Sequence, residues 1–477
     1  MVAEFFNVTR SSLSFAIIWE CVSFTATSPA LSELSIYHCR FQKYESMFLR
    51  TLVRVDMEVY RAIPSRLAPD PLAWIVSPFS GSNATAFPLV HRHGPCSPFD
   101  DKKLLSLEEI LLKDQLRVNY LRRSALKSSA KPQVDDSKAS IPAEYGGGEY
   151  VITVGYGTPS REQTVTMDTG SDLSWIQCKP CSACYSQQQP IFDPSQSSSY
   201  TAIPCNSQDC SQLRSSCSSS CAYGITYGDG STTSGVYSYD RLTLSPNDVI
   251  EDFLFGCGTD NEGLFQDTAG LVGLGRGKRS LVSQTSQVYH SVFSYCLPST
   301  PSSTGFLKLG EPGDASNTVY TRMQTSSNHP SFYFVDLIGI SVGGQQLAIS
   351  PSVFSSRGTI IDSGTTITRL PASAYGALRS AFRSYMSQYP AAPPTRVLDT
   401  CYDFSGYGTI TVPKVALHFD GVTLDLDISG ILRHGCLAFA GYEGGSFGII
   451  GNVQQQTFEV VYDLGNERIG FVPQACS

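Results

Sequence analysis

Charge is scarce in this chain, and long apolar runs are missing. Only 16% of its 477 residues are Asp, Glu, Lys or Arg, against about a quarter in an average soluble protein. No uninterrupted apolar stretch exceeds five residues, as at Phe15–Trp19, so no segment supplies the roughly 20-residue apolar helix that spans a bilayer. The net charge of −8 gives no whole-protein basic field, which argues against nucleic acid as a partner. Asn-x-Ser/Thr occurs only at Asn7 and Asn83, and the seven histidines show no metal-ligand spacing beyond His91-x-His93.

Cysteine, by contrast, is plentiful. Of fifteen, Cys21, Cys39 and Cys96 fall in residues 1–139 and twelve fall in 140–477. The even number suits a closed disulfide set in an oxidising compartment. Cys178, Cys181 and Cys184 have metal-ligand spacing, but the crowding of Cys205, Cys210, Cys217 and Cys221 into the same stretch favours disulfides. No metal and no cofactor are expected; the pairings cannot be read from sequence. Charge divides at the same place, +3 over 1–139 and −11 over 140–477.

Residues 1–88 read as an uncertain leader or a mispredicted gene start. Glu4 sits early, and the apolar core Leu13–Trp19 is short and interrupted by Glu20, which makes a poor secretory signal. Residues 89–139 hold Ser106 and Glu109 in a capping-box pattern, followed by Leu107, Leu111, Val118, Leu121 and Ala125 at helical spacing. Arg122, Arg123 and Lys127 suit the C-terminal end of that helix, and Lys131–Ser140 reads as a polar linker. This piece is either a helical appendage or a removable prosegment.

Beyond Ser140 the period changes to two. Tyr150–Tyr156, Gln163–Met167, Ala222–Tyr227, Tyr333–Val342, Gly358–Ile361 and Phe458–Tyr462 read as strands. Only Ala372–Met386 and Ser280–Val288 read as helices, so the fold class is mostly β. Ser195–Cys221 reads as a disulfide-clamped loop.

An internal echo carries the chemistry. Thr164-Val165-Thr166-Met167-Asp168-Thr169-Gly170-Ser171 resembles Gly358-Thr359-Ile360-Ile361-Asp362-Ser363-Gly364-Thr365. Each is a β run ending in Asp, a hydroxyl residue, Gly and a second hydroxyl residue. Gly270-Leu271-Val272-Gly273 follows the first and Gly448-Ile449-Ile450-Gly451 the second. One Asp-Ser/Thr-Gly triplet would be an ordinary turn; a pair with matched followers places two carboxylates in equivalent positions of two lobes. Gly444-Gly445-Ser446-Phe447-Gly448 fits the GxSxG of serine hydrolases, but Ile449-Ile450-Gly451 continues as strand where that motif needs a helix.

On these residues, 147–477 resembles the pepsin-like aspartic proteases, with a bilobal fold and the active site between two β lobes. The resemblance implies Asp168 and Asp362 as the catalytic pair, approached by Gly170 and Gly364. It implies Ser171 and Thr365 as hydroxyls bonded to the outer carboxylate oxygens. Tyr227, Gly228 and Asp229 match the flap that covers substrate, and Trp175 matches the tryptophan bonded to the flap tyrosine. Tyr227-Gly228-Asp229-Gly230-Ser231, Phe255-Gly256-Cys257-Gly258, Phe293-Ser294-Tyr295-Cys296-Leu297-Pro298 and Ile450-Gly451-Asn452-Val453-Gln454-Gln455-Gln456 are similar to the plant nepenthesin and chloroplast-nucleoid-type branch. His91-Arg92-His93-Gly94-Pro95-Cys96-Ser97-Pro98 resembles that branch's prosegment.

The implied organisation is a leader at 1–88, a prosegment at 89–139, an N-terminal lobe at 140–317 with a Cys-rich insert at 178–221, and a C-terminal lobe at 318–477. The implied activity is aspartic endopeptidase, made as a monomeric zymogen of the secretory pathway (extracellular or vacuolar, with the chloroplast as alternative) and acting on proteins or peptides. The alternative is a catalytically inactive inhibitor or binding protein of the same fold. A DNA-binding role has been attached to the chloroplast-type branch, but the only basic segment that could serve it, Arg117–Lys138, is mixed with acids. Relatives also carry a longer strand–turn–strand where this chain runs from Leu424 to Cys436, so unpaired ladder groups are expected there.

Overall fold

The computed structural model describes residues 21–28, 31–38, 85–91, 106–127 and most of 150–476. Leu13–Trp19, Arg92–Pro98, Ala125 with its neighbours' side chains, Lys131–Ser140, Gly228, Asp229 and Gly444–Ser446 fall outside that description. The chain divides into two compact units, Met1–Ser82 with Gly94–Ser97, and Asn83–His93 with Pro98–Ser477. In the first, Cys21–Ser28 and Leu31–His38 pair as an antiparallel hairpin. The second holds all other described elements.

Alternating sequence becomes strand where expected. Tyr150–Tyr156 pairs antiparallel with Arg161–Asp168, and Ala222–Thr226 joins the long ribbon Thr232–Ser245 and Asp248–Glu262. The run expected over Tyr333–Val342 is two strands, Phe334–Val335 and Leu337–Val342. Asp336 interrupts it, receiving the Asp420 N–H on its carbonyl and the Gln324 amide on its carboxylate. Ala372–Tyr385 is helical as read. The helix expected over Ser280–Val288 is two short ones, Leu281–Gln284 and Ser286–Tyr289. Between them Thr285 leaves helical geometry and its hydroxyl bonds back to the Leu281 carbonyl, the competition that Ser and Thr offer to helix continuation.

The two halves are tied by a shared sheet. Val292–Cys296 of the first half pairs with Glu459–Asp463 of the second, which pairs onward with Arg468–Val472 and Val319–Gln324. Phe293 stacks on Tyr462 at 4.4 Å, and the Tyr295 and Tyr462 hydroxyls lie 2.8 Å apart. Into this sheet comes a strand from before the expected enzyme. Thr85–His91 lies antiparallel to Thr304–Leu309 and meets Tyr150–Tyr156 at Val90 and His91. It buries Phe87 and Leu89, and it spans the 88/89 boundary expected from sequence.

Among the described residues twelve cysteines form six disulfides: Cys178–Cys257, Cys181–Cys184, Cys205–Cys217, Cys210–Cys221, Cys296–Cys476 and Cys401–Cys436. The CxxCxxC thiols are therefore consumed as cross-links. The shortened stretch after Leu424 closes differently from the expectation. Asp427 caps a helical turn, Ile428–Ile431, the Leu426 N–H donates to the Val415 carbonyl, and Ala438 N–H donates to the Ile431 carbonyl. Gln454 Nε2 donates to the Gly430 carbonyl at 2.7 Å, so a side chain replaces part of the missing ladder.

The helix Leu107–Lys127 starts as its sequence dictates. The Ser106 N–H donates to Glu109 Oε2 at 2.7 Å, and the Glu109 N–H donates to Ser106 Oγ at 3.2 Å. Leu111, Val118 and Leu121 are buried, packing against Ile367, Leu398 and Val453 at one end and Phe332, Phe334 and Phe447 at the other. Ser106→Ala should loosen this first turn by about 1 kcal/mol, read as faster amide exchange confined to residues 107–110. Unchanged exchange there would show that the turn is held by packing alone.

Candidate active site

Both Asp-Ser/Thr-Gly loops leave a buried strand and are threaded by the expected Gly-bounded follower. Gly270–Gly273 runs parallel to Arg161–Asp168, setting Gly273 beside Asp168. Gly448–Ile450 runs parallel to Thr359–Ile361, setting Ile450 beside Ile361. The Leu274 N–H donates to the Asp168 carbonyl and the Asp362 N–H to the Ile450 carbonyl. Each loop is thus clamped by a strand contributed later in its own half.

The two loops then hold each other. Thr169 Oγ1 accepts the Ser363 N–H at 2.9 Å, Ser363 Oγ accepts the Thr169 N–H at 3.3 Å, and the hydroxyls are 3.2 Å apart. Gln455 Nε2 donates to the Asp362 carbonyl and Asn452 Nδ2 to the Ser363 carbonyl. All four loop residues are buried, so every one of these polar groups would be costly to leave unpaired. The reciprocal bonds fix the separation of the two carboxylates.

Asp168 and Asp362 are 2% and 1% exposed. Gly170 N–H donates to Asp168 Oδ1 and Gly364 N–H to Asp362 Oδ1. Thr365 Oγ1 donates to Asp362 Oδ2 at 2.5 Å, as expected. Ser171 departs from expectation: its buried Oγ has no hydrogen-bond partner among the described residues. Asp168 instead directs Oδ1 to the Gly170 N–H and to a guanidinium. Trp175 Nε1 donates to the Tyr227 hydroxyl at 2.7 Å, and Phe265 packs edge-on against both rings. Tyr227 N–H donates to the Ser231 carbonyl and Gly230 N–H to the Tyr227 carbonyl. Burial, then the nearby Asp168 charge, pushes the Tyr227 phenol well above its ordinary value, so it serves as a neutral hydroxyl.

The guanidinium belongs to Arg117, which sequence reading did not single out as a site residue. Its Nη2 lies 2.6 Å from Asp168 Oδ1 and 2.7 Å from Asp362 Oδ1, while Nε donates to Asp362 Oδ2 at 2.9 Å. One nitrogen bridges both carboxylates. Burial disfavours the charged guanidinium, yet the two carboxylates hold its pKa well above the ordinary value. Burial pushes the Asp362 carboxyl up, but Arg117, Thr365 and the Gly364 N–H together hold it below the usual carboxylate range. A Cβ at Gly364 would fall inside the guanidinium, and one at Gly170 would come within 2.7 Å of Nη2. Glycine is required where this group docks.

One helical turn earlier, Asp114 was also missed. Its carboxylate accepts the Thr366 N–H at 2.5 Å, the Ile367 N–H at 3.3 Å and Arg369 Nη2 at 2.7 Å. Neither side chain of this pair is more than 1% exposed. The available signal was a pattern: Asp114 and Arg117 share a helix face with Leu111, Val118 and Leu121, where a solvated charge has no place.

Residues 150–311 match the family model described as xylanase inhibitor N-terminal, and 332–473 the one described as xylanase inhibitor C-terminal. The chain is 45% identical over 425 residues to an aspartyl protease family protein of Arabidopsis thaliana, covering 84% of this chain and 90% of the relative. It is 38% identical to the aspartic proteinase nepenthesin-2 of Nepenthes gracilis over 84% of this chain and 95% of that protein. The crystal structure of basic 7S globulin from soybean shares the fold, with a TM-score of 0.55 at 21% identity over 68% of this chain and 90% of that one. Two reciprocally clamped Asp loops at the meeting of two β lobes, together with full-length relatives of this kind, place the chain in the pepsin-like plant aspartic protease family.

Proposed function

We propose that the chain is the zymogen of an aspartic endopeptidase, in which Asp168 and Asp362 activate water and the segment before about residue 140 blocks them. The observation that carries this reading is the single Arg117 nitrogen shared by both carboxylates. Once Arg117 leaves, two buried carboxylates held this close cannot both stay ionised cheaply, so they retain one proton between them and titrate as a unit. The ionised member draws a proton from a water lying between them, and that water attacks the peptide carbonyl. The protonated member donates to the carbonyl oxygen, and a proton then reaches the leaving amine. Tyr227, fixed by Trp175, is placed to close the flap over an extended peptide whose main chain bonds in β fashion.

The reading extends to organisation. The lobes meet near residues 317 and 318, and the strand Thr85–His91 with the helix Leu107–Lys127 acts as the removable cover. Six disulfides suit an oxidising compartment of the secretory pathway. The alternative of an inactive binding protein is less well supported, because both carboxylates, the Thr365 hydroxyl on Asp362 and the Trp175–Tyr227 bond are all present.

The sign of the pH dependence follows from the carboxylates that touch the cover. Asp362 is held low while Arg117 is docked, so its contribution to docking is present at neutral pH and is lost as pH falls through the depressed value. Asp114 works in the opposite sense. Burial, against the pull of Arg369 and two backbone N–H groups, leaves its carboxyl raised, so acid alone does not eject that contact. Release in acid therefore runs through the dyad. Amide exchange over 107–127 in the parent should speed up as pH falls below about 4, the ordinary carboxylate range, and Asp362→Asn should blunt that acid step. An equal acid step in the variant would move the switch elsewhere.

Arg117→Gln should remove a buried ion pair worth about 3–5 kcal/mol on breaking, so peptidase activity should emerge faster and at higher pH than in the parent. Activation at the parent's rate and pH would contradict the blocking role. After activation, Asp168→Asn and Asp362→Asn should each lower cleavage of denatured protein by at least about a hundredfold. Parent-level cleavage by either variant would overturn the dyad assignment, and no cleavage by the activated parent would favour the binding-protein alternative.

A further inference from the structure

The groups around Asp114 form a complete receptor for one carboxylate. Two backbone N–H groups, Thr366 and Ile367, and the Arg369 guanidinium converge on it, and Gln115 Oε1 lies 3.4 Å from Arg369 Nη2. The receptor belongs to the lobe and the carboxylate to the cover. Arg369 sits on the strand Thr368–Pro371, paired with Phe439–Tyr442 on one side and meeting Ile449 on the other, and its Nη1 is anchored on the Ile367 carbonyl at 2.9 Å. Thr366 and Ile367 are only four and five residues beyond Asp362, so the receptor stands on the wall of the same cleft. Among the described residues Asp114 is the only acidic side chain paired with Arg369. The nearby cation Arg122 lies over the Tyr442 ring and offers no neutralisation.

Removal of the cover would therefore leave a pre-positioned guanidinium and two aimed N–H groups with no anion. Arg369 is 1% exposed while Asp114 is docked, and with the cover gone its guanidinium faces a vacated seat that a carboxylate or water can take. Asp114 lies one helical turn from Arg117, about 4.5 Å along the axis, and an extended peptide advances about 3.3 Å per residue. A substrate side chain within about three residues of the scissile bond reaches the same seat.

We propose that Thr366 N–H, Ile367 N–H and Arg369 form a substrate subsite that selects a side-chain carboxylate, Glu or Asp, close to the bond cleaved, with Asp114 occupying it in the zymogen. This rests on the peptidase reading above and adds to it a specificity-determining residue. The geometry suits a planar carboxylate, which can accept from the guanidinium and from both N–H groups together. A Gln in the same place would present one carbonyl oxygen and set its own NH2 against these donors.

The test uses full-length protein activated in acid and then assayed at about pH 5, where most free carboxylates are ionised. Internally quenched peptides, amidated at the C-terminus so that only side chains supply carboxylate, carry Glu or Gln at each of three positions on either side of the scissile bond. The expected result is a Glu over Gln preference of about tenfold in kcat/KM at one position, expressed mainly in KM. Arg369→Gln should abolish the preference while still cleaving the Gln peptide. Because that variant also loses the zymogen pair, Asp114→Asn, which weakens the pair in the zymogen and leaves the lobe's own donors untouched, should keep the full Glu preference after activation. Equal cleavage of Glu and Gln peptides by the parent at all six positions, or a preference that survives in Arg369→Gln, would overturn the subsite and leave the peptidase standing. Failure of the activated parent to cleave any of the peptides, with Asp168→Asn indistinguishable from it, would overturn the peptidase reading and the subsite with it.

Discussion

Two carboxylates buried side by side are the constraint around which this structure is arranged. Neither Asp168 nor Asp362 can be placed where it is without help, since desolvating an ionised carboxylate costs several kcal/mol. Part of the help is local, from the Gly170 and Gly364 N–H groups and the Thr365 hydroxyl. The rest is a cation brought from a separate segment, and Arg117 satisfies both acids at once. The reciprocal Thr169–Ser363 bonds keep the two acids at a distance one guanidinium can bridge. The packing of the helix, the glycines at the loop tips and the shared sheet all serve that spacing.

The cover is held by two kinds of bond that respond differently to their surroundings. The strand Thr85–His91 is part of a hydrogen-bonded sheet with a buried apolar face. The helix is held by charge, at Arg117 and at Asp114, with apolar flanks at Leu111 and Val118. The contacts at the Asp loops and the ladder of the strand thus rest on different kinds of bond.

What could be read from sequence followed from repetition and from local rules. The doubled Asp loops and their Gly-bounded followers were visible because the same backbone problem, a carboxylate approached closely by main chain, is solved twice with the same residues. The start of the helix was visible because a capping box is a local bond pattern spanning Ser106 to Glu109. Arg117 was not, because its partners lie 51 and 245 residues away, and a basic residue in a helix ordinarily means a solvated face. Tyr333–Val342 misled for a related reason. Alternation continues through it, but Asp336 answers to Gln324 and Asp420, and no local pattern records that. The shortened run after Leu424 was legible as a deletion, while its repair by Gln454 required knowing which side chain would lie beneath it.

The likeness of the two halves stops at the backbone. Strand, loop and follower repeat in each, yet Thr365 bonds Asp362 while the Ser171 hydroxyl bonds nothing among the described residues. Arg117 repeats the bias, giving two contacts to Asp362 and one to Asp168. A symmetric pair bound by a single asymmetric cation must break its equivalence, and here both the lobe hydroxyl and the cover favour ionised Asp362. Among the described residues Asp168 has the smaller set of donors, the Gly170 N–H and Arg117. The inequality is carried in part by the C-terminal lobe itself, in Thr365.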